Sequence, residues 1–330
     1  MRSLLGLLII PLLFSGCHNR VKETATRADS TRVSVNIPQF NADSAYLFVK
    51  TQVDFGPRVP NTPAHEQCAG WLTEKFKGLA PSLIVQKGEV KAFNGTMLHF
   101  KNIIASWNPE RNNRILLCSH WDSRPFADHD PDPKNRRKPV DAANDGASGV
   151  GVLMEIGRQM KTLNPAIGVD IVLFDVEDYG PPEDEKTGEN TEKWWGQGAQ
   201  YWAANPHKPG YTARYGILLD MVGAPGATFP MEGYSVQYAN DILKMVWSTA
   251  GRIGYSGYFL FEPGGTITDD HGPINKILNI PTIDMIHLDR TSQFGFYPYW
   301  HTTKDNMAAI DKTTLKAVGQ TLLTVIYEEK

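Results

Sequence analysis

Apolar positions recur along the chain in two rhythms, and the rhythms alternate. Ala42 to Val53 and Pro63 to Leu79 read as helices, the second opening on a proline where a helix tolerates one. Ile84 to Val90, Leu98 to Trp107 and Ile115 to His120 read as three strands. Ser148 to Lys161 then sets Val150, Leu153, Met154 and Gly157 on one helical face. Val169 to Val176 is almost unbroken in its apolarity, the mark of a strand covered on both sides. The alternation continues through Gln197 to Ala204 (helix), Gly216 to Met221 (strand), Asp241 to Ile253 (helix), Ile283 to His287 (strand) and Thr313 to Tyr327 (helix). This pattern predicts an α/β fold: a single domain with a central, mostly parallel mixed sheet and helices on both faces.

The N-terminus follows another pattern. Arg2 precedes an apolar run from Leu4 to Phe14, too short to span a bilayer, and Ser15-Gly16-Cys17 follows it. A cysteine directly after small residues resembles a bacterial lipoprotein signal, with residues 1–16 removed and Cys17 lipidated; plain secretion and an uncleaved anchor are the alternatives. Residues 17–37 are polar, lack apolar periodicity and read as a flexible tether, which leaves 38–330 as the folded domain. The expected setting is an exported, periplasmic lipoprotein held to the membrane through Cys17, in a Gram-negative-type bacterium.

A chain of 330 residues with 41% hydrophobic and 21% charged residues can bury one large core. A formal charge of −3 gives no reason to expect a nucleic-acid partner. Beyond Cys17 only Cys68 and Cys118 remain; they read as small buried hydrophobes, with a disulfide between them left open. Two long polar stretches interrupt the pattern. Residues 122–144 carry the basic cluster Lys134-Asn-Arg-Arg-Lys138, read as a solvated loop, and residues 179–196 end in Trp194-Trp195, of which at least one is expected to face a ligand.

Chemistry-bearing residues stand where strands end. Glu177-Asp178 close the apolar strand that begins at Val169, and adjacent carboxylates at a buried strand end are costly unless a cation relieves them. Ser119-His120-Trp121-Asp122 ends another strand, Asn144-Asp145-Gly-Ala-Ser-Gly149 opens a helix, and Asp220 ends Gly216-Ile-Leu-Leu-Asp220. Asp269-Asp270-His271 and Trp300-His301-Thr302 complete the set. Taken singly, any of these acids reads as a cap or surface group. Jointly they converge, because strand carboxyl ends in an open α/β sheet share one crevice. Asp, Glu and His are ligands that zinc accepts.

The ordered set His120-x-Asp122, Asn144-Asp145-Gly-Ala-Ser-Gly149, Glu177-Asp178, Asp220-Met-Val-Gly and His301-Thr resembles the zinc aminopeptidase-like family. Trp300 before His301, together with Asp269-Asp270-His271, is similar to the zinc-dependent glutaminyl cyclases of animals and bacteria. That resemblance runs from about Phe40 to the C-terminus. It implies one zinc per chain on Asp145, Asp178 and His301, Glu177 as general acid/base, and Asp220 and Asp270 hydrogen-bonding around it. It further implies substrate walls from Phe296 and Trp300 with Trp194 or Trp195, and peptides or proteins with N-terminal glutamine as partners. The implied activity is that of a glutaminyl-peptide cyclotransferase. A two-zinc aminopeptidase using His120, Asp220 and a bridging Asp145 is the first alternative, and a non-enzymatic binding lipoprotein the second. With one zinc, His120 and Asp122 are expected to orient neighbouring groups rather than bind metal.

Overall fold

The computed structural model describes residues 35–185 and 191–330. The leader, Cys17 and the tether as far as Ser34 lie outside the described residues. Among the described residues no helix is long and apolar enough to cross a membrane.

Among the described residues, eight strands and seven α-helices form a three-layer body. In chain order they are α1 (Ala42–Asp54), α2 (Pro63–Leu79), β1 (Ser82–Lys91), β2 (Met97–Trp107), β3 (Arg114–His120), α3 (Ala147–Thr162), β4 (Gly168–Phe174), α4 (Gln197–Ala204), β5 (Gly216–Asp220), β6 (Phe229–Met231), α5 (Gly233–Arg252), β7 (Phe259–Pro263), α6 (His271–Pro273), β8 (Thr282–Ile286) and α7 (Lys312–Glu328). The main sheet has the order β1-β2-β4-β3-β5-β8, with β3, β4, β5 and β8 mutually parallel and β1 and β2 joined antiparallel at one side.

Strand periodicity sorts the core onto two faces. Ile115, Leu117, Ile171, Leu173, Ile217 and Leu219 face a large cluster filled from α2, α3, α5 and α7. Leu116, Cys118, Val172, Phe174 and Leu218 face a smaller one closed by Ala199 and Trp202 of α4 and by Ile274. The polar residue inside β4 is satisfied rather than exposed. Asp170 takes the Arg114 fork at 2.6 and 2.8 Å and the Tyr211 hydroxyl at 2.8 Å, all in the interior.

Cys68 on α2 lies in the larger cluster and Cys118 on β3 in the smaller, so the sheet separates them and both are free thiols. Burial pushes the Cys68 thiol up to about 12 and the Cys118 thiol well above its ordinary range. Because the thiolate is the reactive form, neither is expected to react with a thiol reagent in the native protein. Both are expected to react after denaturation without reductant, and a missing pair of thiols in that titration would contradict the separation.

The predicted elements are present, with two differences. Helix α5 begins at Gly233 rather than Asp241 because Glu232 caps it, accepting from the Tyr234 and Ser235 amides at 2.8 and 2.6 Å; a non-helical residue, Ala239, joins the added turns to the rest. The small parallel pair β6–β7 carries too few residues to show a period.

Candidate active site

The parallel strands place their carboxyl ends on one edge, and the predicted residues collect there. His120 is the last residue of β3, Asp220 the last of β5, and Glu177 and Asp178 follow β4. Asp145 precedes α3 and His301 comes from the segment between β8 and α7. They surround a cavity of about 320 Å³ lined by Asp145, Glu177, Asp178, Asp220 and His301 among others. The backbone turns sharply at this edge. Ala142, Val176, Met221 and His301 all sit in the left-handed region, at φ of 53°, 53°, 50° and 55°. Such conformations are uncommon for residues other than glycine and collect where side chains must be aimed.

Asp145, Asp178 and His301 bring three buried ligand atoms within 4.8 Å of one another. His301 Nε2 lies 3.4 Å from Asp178 Oδ1 and 3.8 Å from Asp145 Oδ2, and Asp178 Oδ2 is buried without a partner. Two carboxylates and an imidazole facing one point, with an orphaned oxygen, fit a three-ligand catalytic zinc site. Asp145 belongs to a second trio as well. His120 Nε2 lies 3.0 Å from its Oδ1 and 3.3 Å from Asp220 Oδ1.

Several residues, of which Arg124, Asp128 and Asp305 lie outside the predicted set, hold these groups in place. Asp128 stands 3.4 Å from His301 Nδ1, which leaves Nε2 for the cavity, and Arg124 grips Asp128 with two bonds of 2.9 Å. Burial acts to raise the Asp128 carboxyl, but the Arg124 fork and His301 hold it well below its usual range. Asp305 accepts from the Asn144 and Asp145 amides at 2.8 and 3.1 Å and so sets the loop that carries Asp145. Asp122 accepts from the Glu177 and Asp178 amides at 3.1 and 3.2 Å, one carboxylate oxygen for each. Asp122 thus fixes the backbone of the Glu177-Asp178 pair, while His120 faces Asp145 and Asp220. Gly146 is required by proximity, since a Cβ there would lie 2.5 Å from the His120 ring.

Glu177 reaches the cavity wall beside the trio. Burial pushes its carboxyl well above the ordinary range; His120 opposes this, and Asp178, Asp269 and Asp270 add to it. Burial likewise takes Asp220 up to about 6 and Asp269 up to about 7. For Asp145 burial acts upward too, yet its hydrogen bond to His120 and the charges of His120, His301 and Arg124 hold it below its usual value.

The Asp269-Asp270 pair divides: Asp269 lines the cavity, while both carboxylate oxygens of Asp270 are buried without a hydrogen-bond partner and its charge acts on Glu177. Asp270 stands at the start of α6, fully buried, and packs against Gly196, where a Cβ would lie 3.0 Å from its Oδ1. The Asp270 amide donates back to Asp269 Oδ1 at 2.5 Å, which fixes the neighbour that does reach the site.

Of the tryptophan pair only Trp195 lines the cavity. Its ring lies on Gly180, where a Cβ would come within 2.2 Å, and stacks parallel to His301 at 6.1 Å between centroids, with the Arg124 guanidinium 4.7 Å away. Trp194 points elsewhere, its ring under Lys193 Nζ at 4.8 Å. Phe296 and Trp300 form the facing wall, 4.2 Å apart, and Trp300 packs on His301 at 3.8 Å. The basic cluster is distant from this chemistry; Arg137 pairs at the surface with Asp184 and Glu185.

Comparison with known proteins fits this geometry. Residues 102–326 match peptidase family M28. A glutaminyl cyclase of Bacteroides thetaiotaomicron, solved with N-acetylhistamine bound, is 52% identical, superposes with a TM-score of 0.87, and covers 89% of this chain and 100% of its own. A structure from the same organism described as a leucine aminopeptidase precursor is also 52% identical, with a TM-score of 0.86 over 90% of this chain and 100% of its own. The glutaminyl-peptide cyclotransferase of Bos taurus is 25% identical over 257 residues, which is 69% of this chain and 66% of the bovine one.

Proposed function

The chain belongs to peptidase family M28, and we propose that within it the protein is a zinc-dependent glutaminyl-peptide cyclotransferase. It would convert the N-terminal glutamine of peptides and proteins to pyroglutamate and release ammonia. The observation that carries this reading is the placement of Glu177: a buried carboxyl beside the Asp145–Asp178–His301 trio, with Phe296, Trp300 and Trp195 also lining the cavity. The likeness to solved bacterial glutaminyl cyclases over their whole length supports it.

Asp145, Asp178 and His301 would hold one zinc, which when bound supplies Lewis-acid polarisation of the glutamine γ-carbonyl. The aromatic walls admit a flat amide side chain and restrict water, so the substrate's own α-amine is the nucleophile. Holding that amine next to the carbonyl supplies rate through proximity. Glu177 takes the proton from the amine and returns one to the departing amide nitrogen, two steps that one carboxyl raised toward neutrality can serve in turn. Asp220 and Asp270, with Asp269 beside them, would hydrogen-bond Glu177 and the leaving amide; burial lifts all three.

The aminopeptidase reading needs a water nucleophile and a second metal on His120, Asp145 and Asp220. What favours the cyclase over the aminopeptidase is the likeness to solved bacterial glutaminyl cyclases; the second trio offers the same ligand types as the first. An assay on one sample separates the two. Gln-peptides are expected to yield pyroglutamate and ammonia, Leu-anilides are expected to remain intact, and zinc content is expected near one per chain. Release of free amino acids without pyroglutamate, at two zincs per chain, would establish the aminopeptidase. The exported, lipid-anchored setting rests on the leader from Arg2 to Cys17, and palmitate incorporation that is lost in Cys17→Ala is its test.

A further inference from the structure

Helix α2 buries His65, Cys68, Ala69, Leu72 and Phe76, and the first of these is a histidine with no exposed surface on an otherwise apolar face. A buried imidazole costs free energy unless it is hydrogen-bonded. Its Nδ1 has no partner among the described residues, and its Nε2 lies 2.8 and 3.0 Å from the two oxygens of Asp175. Those oxygens already accept from the backbone, Oδ1 from the Val176 amide at 2.9 Å and Oδ2 from the Lys101 amide at 2.6 Å, so the nitrogen between them is a donor. The imidazole also stacks on Trp121, 4.5 Å between centroids and 17° from parallel. None of these three side chains lines the cavity, and the proposed reaction makes no direct use of them.

Their place in the fold gives them a use. Strands β2 and β4 pair as far as Ile103 and Leu173, and in the same register Lys101 would face Asp175. There the ladder stops. The side chain of Asp175, rather than its backbone, takes the Lys101 amide, and the chain bends at Val176, φ 53°, into Glu177 and Asp178. Trp121 stands between His120 and Asp122, and Asp122 fastens the Glu177 and Asp178 amides. His65 therefore touches both sides of the turn: the residue that launches it and the strand exit that clamps it. We propose that His65 is a positioning residue for the cyclisation, its bond to Asp175 holding the turn in the shape that brings Glu177 and Asp178 to the cavity together. The proposal rests on the roles given above to that pair and adds a determinant carried by α2, outside the cavity. A misplacement of about 1 Å by such a support costs up to about 10²-fold in rate.

The test uses the full protein and three substitutions that separate the bond from the ring. His65→Gln keeps an amide donor long enough to reach Asp175, His65→Asn carries the same donor one methylene short, and His65→Phe keeps a ring for Trp121 without a donor. His65→Asn and His65→Phe are expected to lower kcat on a Gln-peptide about tenfold or more, and to weaken zinc binding, read by competition with a chelator, by about as much. KM is expected to change little, because the cavity walls are untouched. His65→Gln is expected to retain most of both properties. A purely structural role would lower the unfolding midpoint and leave kcat and zinc affinity of the folded protein at wild-type values; that result overturns the inference, as does a loss in His65→Gln equal to that in His65→Asn. If His65→Phe does not fold, the comparison of His65→Gln with His65→Asn decides. Zinc affinity is read without turnover, so a wild type that binds zinc but forms no pyroglutamate overturns the cyclase reading, while the zinc comparison still decides the role of His65. A wild type that neither binds zinc nor forms pyroglutamate overturns both.

Discussion

Glu177→Gln is expected to lower kcat for pyroglutamate formation by about 10²–10⁴-fold, the usual contribution of a general acid–base group. The substitution keeps the volume of the side chain. It also leaves the backbone amides of Glu177 and Asp178 on Asp122, so the loop and the metal trio are expected to stay as they are. What it removes is a buried carboxyl whose proton affinity is raised, first by burial and then by Asp178, Asp269 and Asp270. The sign of the pH dependence follows. A base works only when deprotonated, so wild-type kcat/KM is expected to rise with pH through the Glu177 value and again through that of the substrate's α-amine, and the variant is expected to keep only the amine's limb. Zinc content and the unfolding midpoint serve as controls. A variant with full zinc and wild-type kcat would remove Glu177 from the mechanism.

The second large effect concerns the metal. His301→Ala deletes one of the three proposed ligands and is expected to abolish zinc retention through gel filtration, with activity falling to background. Asp128→Asn is the graded companion. Asp128 faces His301 Nδ1 and is itself fixed by Arg124, an arrangement that orients an imidazole and raises its basicity as a ligand. Losing the charge while keeping the shape is expected to weaken zinc binding by about 10–100-fold, read by competition with a chelator. Added zinc is expected to restore turnover in Asp128→Asn and not in His301→Ala. Equal zinc affinity in wild type and Asp128→Asn would show that Asp128 does not act through His301.

What was legible in the sequence were the groups that regular structure delivers. A buried strand announces itself by its apolar run, and the polar residue that ends it, whether His120, Asp178 or Asp220, is marked by the contrast. The supports were hidden because they come from irregular chain. Arg124 and Asp128 sit in the polar stretch 122–144, where composition speaks for solvent, yet both are buried in the structure. Their one signal was the spacing of four residues, followed at once by His129. Asp305 lies four residues beyond His301 in another irregular segment, and nothing in the sequence separates it from a surface acid. The choice between Trp194 and Trp195 turned on which of two adjacent residues faces inward. In a strand, alternation would have decided; in a loop, no period exists to decide it.

The double grip of Asp122 carries a consequence for how such a site changes over time. Because one carboxylate fastens two consecutive amides, the proposed proton carrier and the proposed metal-binding acid turn as a single rigid unit. Drift that re-aims Glu177 toward a new substrate would drag Asp178 off the metal, and the reverse. Innovation at this edge of the sheet is therefore steered toward the surrounding walls, where aromatic rings can be exchanged one at a time without disturbing the chemistry.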